Sequence, residues 1–145
     1  MTATSDRLGG DLGWGLAAVF RGFLTETDAV AEDLPGGRHG YQVLSAAAGG
    51  EPASQAAMTL RLGIDKTVMT YLLDDMEAAS LVERQADPAD RRSRLITATP
   101  HGRQVLSYLD ERLARAEQRL LAGLDAADQA ELRRLLRAVA AHESD

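Results

Sequence analysis

The chain is 145 residues long, 45% hydrophobic and 26% charged, with a formal net charge of −6, so it holds one domain with a real core, or one small domain with helical extensions, and not two full domains. It contains no cysteine, which excludes disulfides, thiol nucleophiles, thiol redox sensing and cysteine-ligated zinc. No apolar run approaches the ~18 residues of a membrane span and no secretory leader opens the chain, so the expectation is a cytoplasmic protein with no membrane partner.

Met1 to Gly10 is polar and is expected to fray. From Leu12, the residues Leu16, Val19, Phe20, Phe23, Leu24, Val30, Ala31 and Leu34 recur at three-to-four spacing, which predicts one long amphipathic helix stopped by Pro35-Gly36-Gly37. A terminal helix with this much apolar surface calls for a surface beyond its own small domain, and a partner subunit is the expectation. A shorter helix follows over Tyr41 to Ala48, with Tyr41, Val43 and Leu44 inward and Gly49-Gly50 closing it.

Ser54 is the expected N-cap of the next helix, which carries Ala57, Met58 and Leu62 inward and ends at Gly63. Asp65 caps another, running to about Ala79. Two short helices joined through Leu62-Gly63-Ile64-Asp65 make a helix-turn-helix candidate. On a helical wheel the second places Val68, Met69, Leu72, Leu73 and Met76 in one apolar stripe, opposite Thr67, Thr70, Tyr71, Asp74 and Ala78. In a recognition helix the N-terminal residues meet base edges, so Lys66, Thr67, Thr70 and Tyr71 are the candidate readers. Asp74 facing phosphate is unfavourable, and it is expected to lie beyond the groove, to pair with an Arg, or to accept from a cytosine amino group.

The stretch from Glu83 to Gly102 reads strand, charged loop, strand, helix. Asp87-Pro88 starts a turn. Arg91, Arg92 and Arg94 crowd the loop, Leu95-Ile96-Thr97 has the character of a returning strand, and Thr99-Pro100 is a hydroxyl N-cap followed by a proline at the first helical position. Leu106, Leu109, Leu113, Ala116, Leu120 and Leu124 then mark a second long helix. Gly123-Leu124-Asp125 breaks it, and Leu132, Leu135, Leu136 and Val139 form the apolar face of a last helix.

The negative charge is uneven. Residues 1–35 carry two Arg against six acids, residues 36–103 eight basic against eight acidic, and residues 104–145 six Arg against eight acids. Arg84 to Arg103 holds five Arg against Asp87 and Asp90, a local +3. An acidic body with one basic protrusion is repelled by phosphate everywhere except at that protrusion, which orients an encounter with DNA. Ser54 and Gln55 at the start of the first helix, and Arg84, Arg91 and Arg94 along the hairpin, join the DNA-binding candidates. His39, His101 and His142 lie far apart with no metal-ligand spacing, no glycine-rich phosphate loop or catalytic constellation is recognisable, and Asp74-Asp75 reads as surface charge. No metal, cofactor or enzymatic activity is expected.

Leu62-Gly63-Ile64-Asp65, then Leu81-Val82-Glu83-Arg84, then Asp87-Pro88-Ala89-Asp90-Arg91-Arg92, then Thr99 and Gly102, in this order and between long helices, resemble the MarR family of winged helix-turn-helix transcriptional regulators. The resemblance extends from about Leu12 to Val139. It implies a mainly α fold with a small two- or three-stranded β-wing, the winged helix-turn-helix over about residues 38–99. Dimerisation helices would span about 11–35 and 100–143, all within a single domain of residues 1–145. It also implies that Arg92 enters the minor groove from the wing tip with Asp90 orienting it. Where relatives usually have Gly at the end of the recognition helix this chain has Ser80, and where many carry Arg it has Tyr71 and Asp75.

The resulting expectation is a homodimeric, sequence-specific regulator of double-stranded DNA. It would repress a palindromic operator and be relieved by a small ligand that changes the half-site spacing, and it would associate with the nucleoid when bound. In relatives such ligands are often aromatic acids or phenols, and Trp14, Phe20, His39 and Tyr41 are the candidate contacts. The alternative is a winged-helix protein–protein adaptor with lost or weak DNA binding, which the acidic surface and the Arg-poor helix permit.

Overall fold

The computed structural model describes residues 10–143; the polar stretch expected to fray lies, but for Gly10, outside the described residues. Along these run α1 (Asp11–Val30), α2 (Arg38–Ala47), β1 (Ala53–Ser54), α3 (Gln55–Leu62), α4 (Lys66–Ala78), β2 (Val82–Asp87), β3 (Asp90–Ala98), α5 (Pro100–Leu120) and α6 (Ala126–Glu143). The chain divides into two compact units. One is Thr25–Leu113, which holds the wing; the other joins the residues up to Leu24 with those from Ala114 onward. None of the described helices is long and apolar enough to cross a membrane.

In the winged unit, α1 ends at Val30 and not near Leu34 as the apolar spacing predicts. Pro35 is the reason, because its ring disfavours helical backbone at the residue before it. The chain instead steps through turns, with Leu34 N donating to Ala31 O at 3.0 Å and Gly37 N to Leu34 O at 2.9 Å. Helix α2 starts at Arg38, three residues ahead of the expected Tyr41, with Gly37 as an N-cap that has no side chain to offer. It buries Val43 and Leu44 completely, and Tyr41 only in part.

Helices α3 and α4 form the expected helix-turn-helix. Ser54 Oγ accepts from Ala57 N at 3.0 Å, and Asp65 Oδ2 accepts from Thr67 N at 3.0 Å and Val68 N at 3.3 Å, so each helix start has a partner for an otherwise orphan donor. Gly63 sits between them at φ 65°, a left-handed position that a side chain would strain. Met58, Met69, Leu73 and Met76 are fully buried and Leu72 nearly so, whereas Ala57 is exposed and Val68 is 49% exposed, contrary to expectation for both. The core covers the arc of α4 centred on Met69, Leu72, Leu73 and Met76, and Val68 falls at the rim of that arc.

Helix α4 closes with a left-handed residue, as Leu81 N donates to Met76 O and Ser80 N to Glu77 O, both at 2.9 Å. That is the Schellman pattern, and its left-handed position is held by Ser80 at φ 60° in place of the usual glycine. The sheet that follows is three-stranded and antiparallel in the order β1-β3-β2, the larger of the two sizes expected. Its first strand, Ala53–Ser54 against Ile96 and Leu95, also positions the N-cap of α3.

Strand β3 begins at Asp90, so Arg91, Arg92 and Arg94 belong to a strand and not to a loop. Pro88-Ala89 suffices as the turn, because Asp87 Oδ1 accepts from Ala89 N at 2.9 Å. The pairing is regular from Val82↔Ala98 to Ala86↔Arg94 and then jumps to Asp87↔Asp90. The jump leaves Arg91, Arg92 and Ser93 with no facing residue on β2, a bulge of the kind that re-aims side chains.

Helix α5 starts at Pro100 with Thr99 as its cap. Thr99 Oγ1 accepts from Gly102 N at 2.8 Å and donates to Ser80 O at 2.5 Å. A Cβ at Gly102 would overlap the Leu81 carbonyl. The Thr-x-x-Gly spacing thus joins the end of α4, the start of the wing and the start of α5 at one point.

The helical unit holds the first part of α1, the last part of α5, and α6. Asp125 Oδ1 accepts from Asp128 N at 2.8 Å to cap α6, and Gln129 Nε2 donates to Leu121 O at 3.1 Å and Leu124 O at 3.0 Å, which closes the break between α5 and α6. Arg133 reaches Glu117 at 3.2 Å. Ala116 is fully buried, while Leu12, Leu16, Val19, Phe20, Leu135, Leu136 and Val139 are all exposed.

Candidate nucleic-acid interface

Three backbone segments of the winged unit meet in one cleft: the start of α3, the start of α4 and the tip of β3. Ser54, Gln55, Thr59, Leu60, Lys66, Asp90, Arg92 and Arg94 line it. Around the bulge of β3, Asp90, Arg92, Ser93 and Arg94 all turn to this cleft. Among the described residues Lys66, Arg91, Arg92 and Arg94 have no ion-pair partner. The positive charge of the wing is therefore available to a phosphate or to a groove.

Asp90 meets Arg92 at the backbone. Its Oδ1 accepts from the Arg92 backbone N–H at 3.0 Å. The carboxylate thereby satisfies a donor that the bulge leaves without a strand partner, and it fixes where the Arg92 side chain departs.

The hydroxyl of Thr70 is engaged within the motif, donating to Lys66 O at 3.0 Å and accepting from Gln55 Nε2 at 3.2 Å. Gln55 and Thr70 thus clamp α3 to α4. Thr59 Oγ1 donates to Gln55 O at 2.8 Å, and the Ser54 hydroxyl serves its own helix start. On the exposed arc of α4, Lys66, Thr67 and Tyr71 remain open, joined by Val68, which periodicity alone places in the core.

Arg84 is held on α4. Its guanidinium is bonded to Asp74 and lies 3.4 Å from Glu77, and its backbone N–H donates to Glu77 Oε2 at 3.2 Å. The hydrogen bond to Asp74 leads in raising its proton affinity above the ordinary arginine value, with Glu77 adding to it against partial burial. Of the fates expected for Asp74, the structure selects pairing with an arginine. The pair couples the end of α4 to the first strand of the wing.

The ligand candidates divide between the units. Trp14 and Phe20 are exposed on the α1 segment of the helical unit. In the winged unit His39 is exposed, and the Tyr41 hydroxyl donates to Asp110 at 2.5 Å. A hollow in the winged unit is lined by none of these four. It has an apolar floor of Val30, Leu34, Leu81 and Leu109, with His101, Tyr108 and Arg112 at its edge, and the Arg112 guanidinium lies 5.7 Å from the centre of the Tyr108 ring. No spacing in the sequence marks it, because its walls come from three separate segments.

A helix-turn-helix followed by a charged antiparallel wing, with unpaired cations beside the start of the second helix, defines a winged-helix DNA-binding regulator, a class of transcription factor and not of enzyme. The MarR family model matches residues 38–93. The PcaV transcriptional regulator of Streptomyces coelicolor, in complex with its natural ligand, is 32% identical, with 69% of this chain and 71% of that one covered and a TM-score of 0.57. A MarR-family regulator from Rhodococcus sp. RHA1 is 29% identical over 90% of this chain and 92% of that one, with a TM-score of 0.75. The transcriptional repressor CouR, bound to a 23-mer DNA duplex, is 28% identical over 92% of each chain, with a TM-score of 0.70. The chain belongs to the MarR family of transcriptional regulators.

Proposed function

We propose that the protein is a homodimeric repressor that binds a palindromic operator and releases it when a small aromatic ligand binds. The observation that carries the reading is the shared cleft of the winged unit, where Arg92, Arg94 and Lys66 stand without ion-pair partners beside the starts of α3 and α4. In this reading α4 enters the major groove with Lys66, Thr67 and Tyr71 toward the bases. Arg92 reaches the adjoining minor groove, whose narrow width concentrates negative potential. Ser54, Gln55, Arg91 and Arg94 sit nearest the phosphates, and Asp90, Thr70 and Arg84 hold the frame. The relative CouR, described as a repressor and bound to DNA, supports both the partner and the direction of regulation.

Dimerisation is supported by the exposed apolar residues of α1 and α6 in the helical unit. Two copies related by a two-fold axis would present two α4 helices to half-sites about one DNA turn, ~34 Å, apart. The ligand-bound relative PcaV supports an effector, with His39 and Tyr41 the candidate contacts in the winged unit and Trp14 and Phe20 in the helical unit. Such a regulator works in the cytoplasm, on the nucleoid.

Fluorescence anisotropy with DNA from beside the protein's own gene, at two salt concentrations, tests the reading. Saturable binding that weakens as salt rises is the expected result. Absence of such binding overturns it and leaves a winged-helix protein adaptor.

A further inference from the structure

Helix α4 offers a base edge little to hydrogen-bond with. Lys66–Ala78 contains no Arg, Asn or Gln, which leaves Lys66 at its start as its one side chain of the kinds that make bidentate contacts with guanine or adenine. The Thr70 hydroxyl is engaged by Gln55 and by the helix backbone, and Asp74 holds Arg84. What the exposed arc does present is apolar surface: Val68 is 49% exposed and Tyr71 67% exposed, about 60° apart around the helix by its periodicity.

In the major groove an aliphatic side chain has one apolar group to pack on, the C5-methyl of a pyrimidine, which in unmodified DNA is thymine. Against guanine O6 and N7, or the amino group of cytosine, Val68 would strip water from a polar edge and return no hydrogen bond. Tyr71 adds an aromatic face that packs on the same methyl groups, with its hydroxyl able to stay in water. We infer that Val68 and Tyr71 form an apolar reading surface for thymine methyl groups, and that this surface sets the operator preference of the protein. The inference rests on the reading that α4 enters the major groove.

The full chain is first used to select its site from a random pool of unmethylated synthetic DNA. Anisotropy titrations then follow with each thymine of a half-site replaced in turn by deoxyuridine, which removes only the methyl. At one or two positions per half-site the swap weakens binding about fourfold, the ratio expected for uncovering one methyl-sized group. The loss at one position disappears in Val68→Ala and at the other in Tyr71→Ala, both exposed sites at which folding is retained, as a circular-dichroism melt checks. Tight, salt-sensitive binding with every deoxyuridine swap within twofold overturns the inference and leaves the DNA-binding reading standing. Absence of saturable binding to any DNA overturns both.

Discussion

The two units of this chain bury their apolar residues in opposite ways. Among the described residues, all of the buried hydrophobic ones but Ala116 lie in the winged unit, where Val43, Leu44, Met69, Leu73, Met76 and Ile96 are sealed from solvent. The helical unit holds segments of three amphipathic helices, yet Leu16, Val19, Phe20, Leu136 and Val139 stand half or more exposed. The winged unit completes its own core; the helical unit carries a core with one side missing. Helices that are polar on one face and apolar on the other gain their stability from what covers the apolar face, and a second copy of the chain is the cover proposed above.

Introducing charge into the exposed stripe breaks this comparison most severely. Val19→Asp combined with Leu136→Asp places two carboxylates per protomer where the proposed dimer would desolvate them. The dimer dissociation constant should rise more than ~1000-fold, with operator affinity collapsing because the two half-sites are no longer engaged together. Sedimentation equilibrium reads the first effect and anisotropy the second. A variant that stays dimeric shows that the stripe is not the interface.

Next in size is the sealed core. Leu73→Ala empties space around a residue with no exposed surface and should cost about 3 kcal/mol of unfolding free energy by urea titration. Leu16→Ala, made in the charged monomeric background, should cost less than ~1 kcal/mol because Leu16 is already half exposed to solvent. Equal losses would erase the contrast between the units.

At the interface the contrast lies between two arginines. Arg92, unpaired at the bulge, should lose more than ~1 kcal/mol of operator binding on substitution by alanine and flatten the salt dependence, with unfolding unchanged. Arg84, tied to Asp74 and Glu77, should on the same substitution lower the melting temperature and leave the salt dependence as it was. Arg92→Ala with wild-type affinity removes the wing from the DNA contact.

The features legible in the sequence are those whose cause is local. Ser54, Asp65, Thr99 and Asp125 each cap the predicted helix, because a side-chain oxygen reaching a backbone N–H two or three residues on depends on little else. The Asp87-Pro88 turn is of the same kind. Features set by distant neighbours were not legible. Val68 lies on the rim of the apolar arc, and whether it is covered depends on how the core closes over α4. The bulge at Arg91–Ser93 and the two-residue strand β1 have no periodicity to reveal them. Arg84 and Arg92 look equivalent as charges; only the fold pairs the guanidinium of Arg84 with two carboxylates and leaves that of Arg92 unpaired.

The smallest effect is expected at Ser80, where the chain keeps a side chain in a conformation that suits glycine. A left-handed non-glycine residue costs ~1–2 kcal/mol, so Ser80→Gly relieves strain in the folded state. Glycine also has more freedom to lose on folding, which returns about half of that gain. The net stabilisation should be roughly 0.5 kcal/mol, seen as a raised urea midpoint at unchanged slope. The site matters beyond its energy, since the Ser80 carbonyl accepts from Thr99 at the start of α5 and Leu81 begins the chain into β2. A lowered midpoint for Ser80→Gly would mean that the serine side chain stabilises the folded joint by more than the strain it imposes.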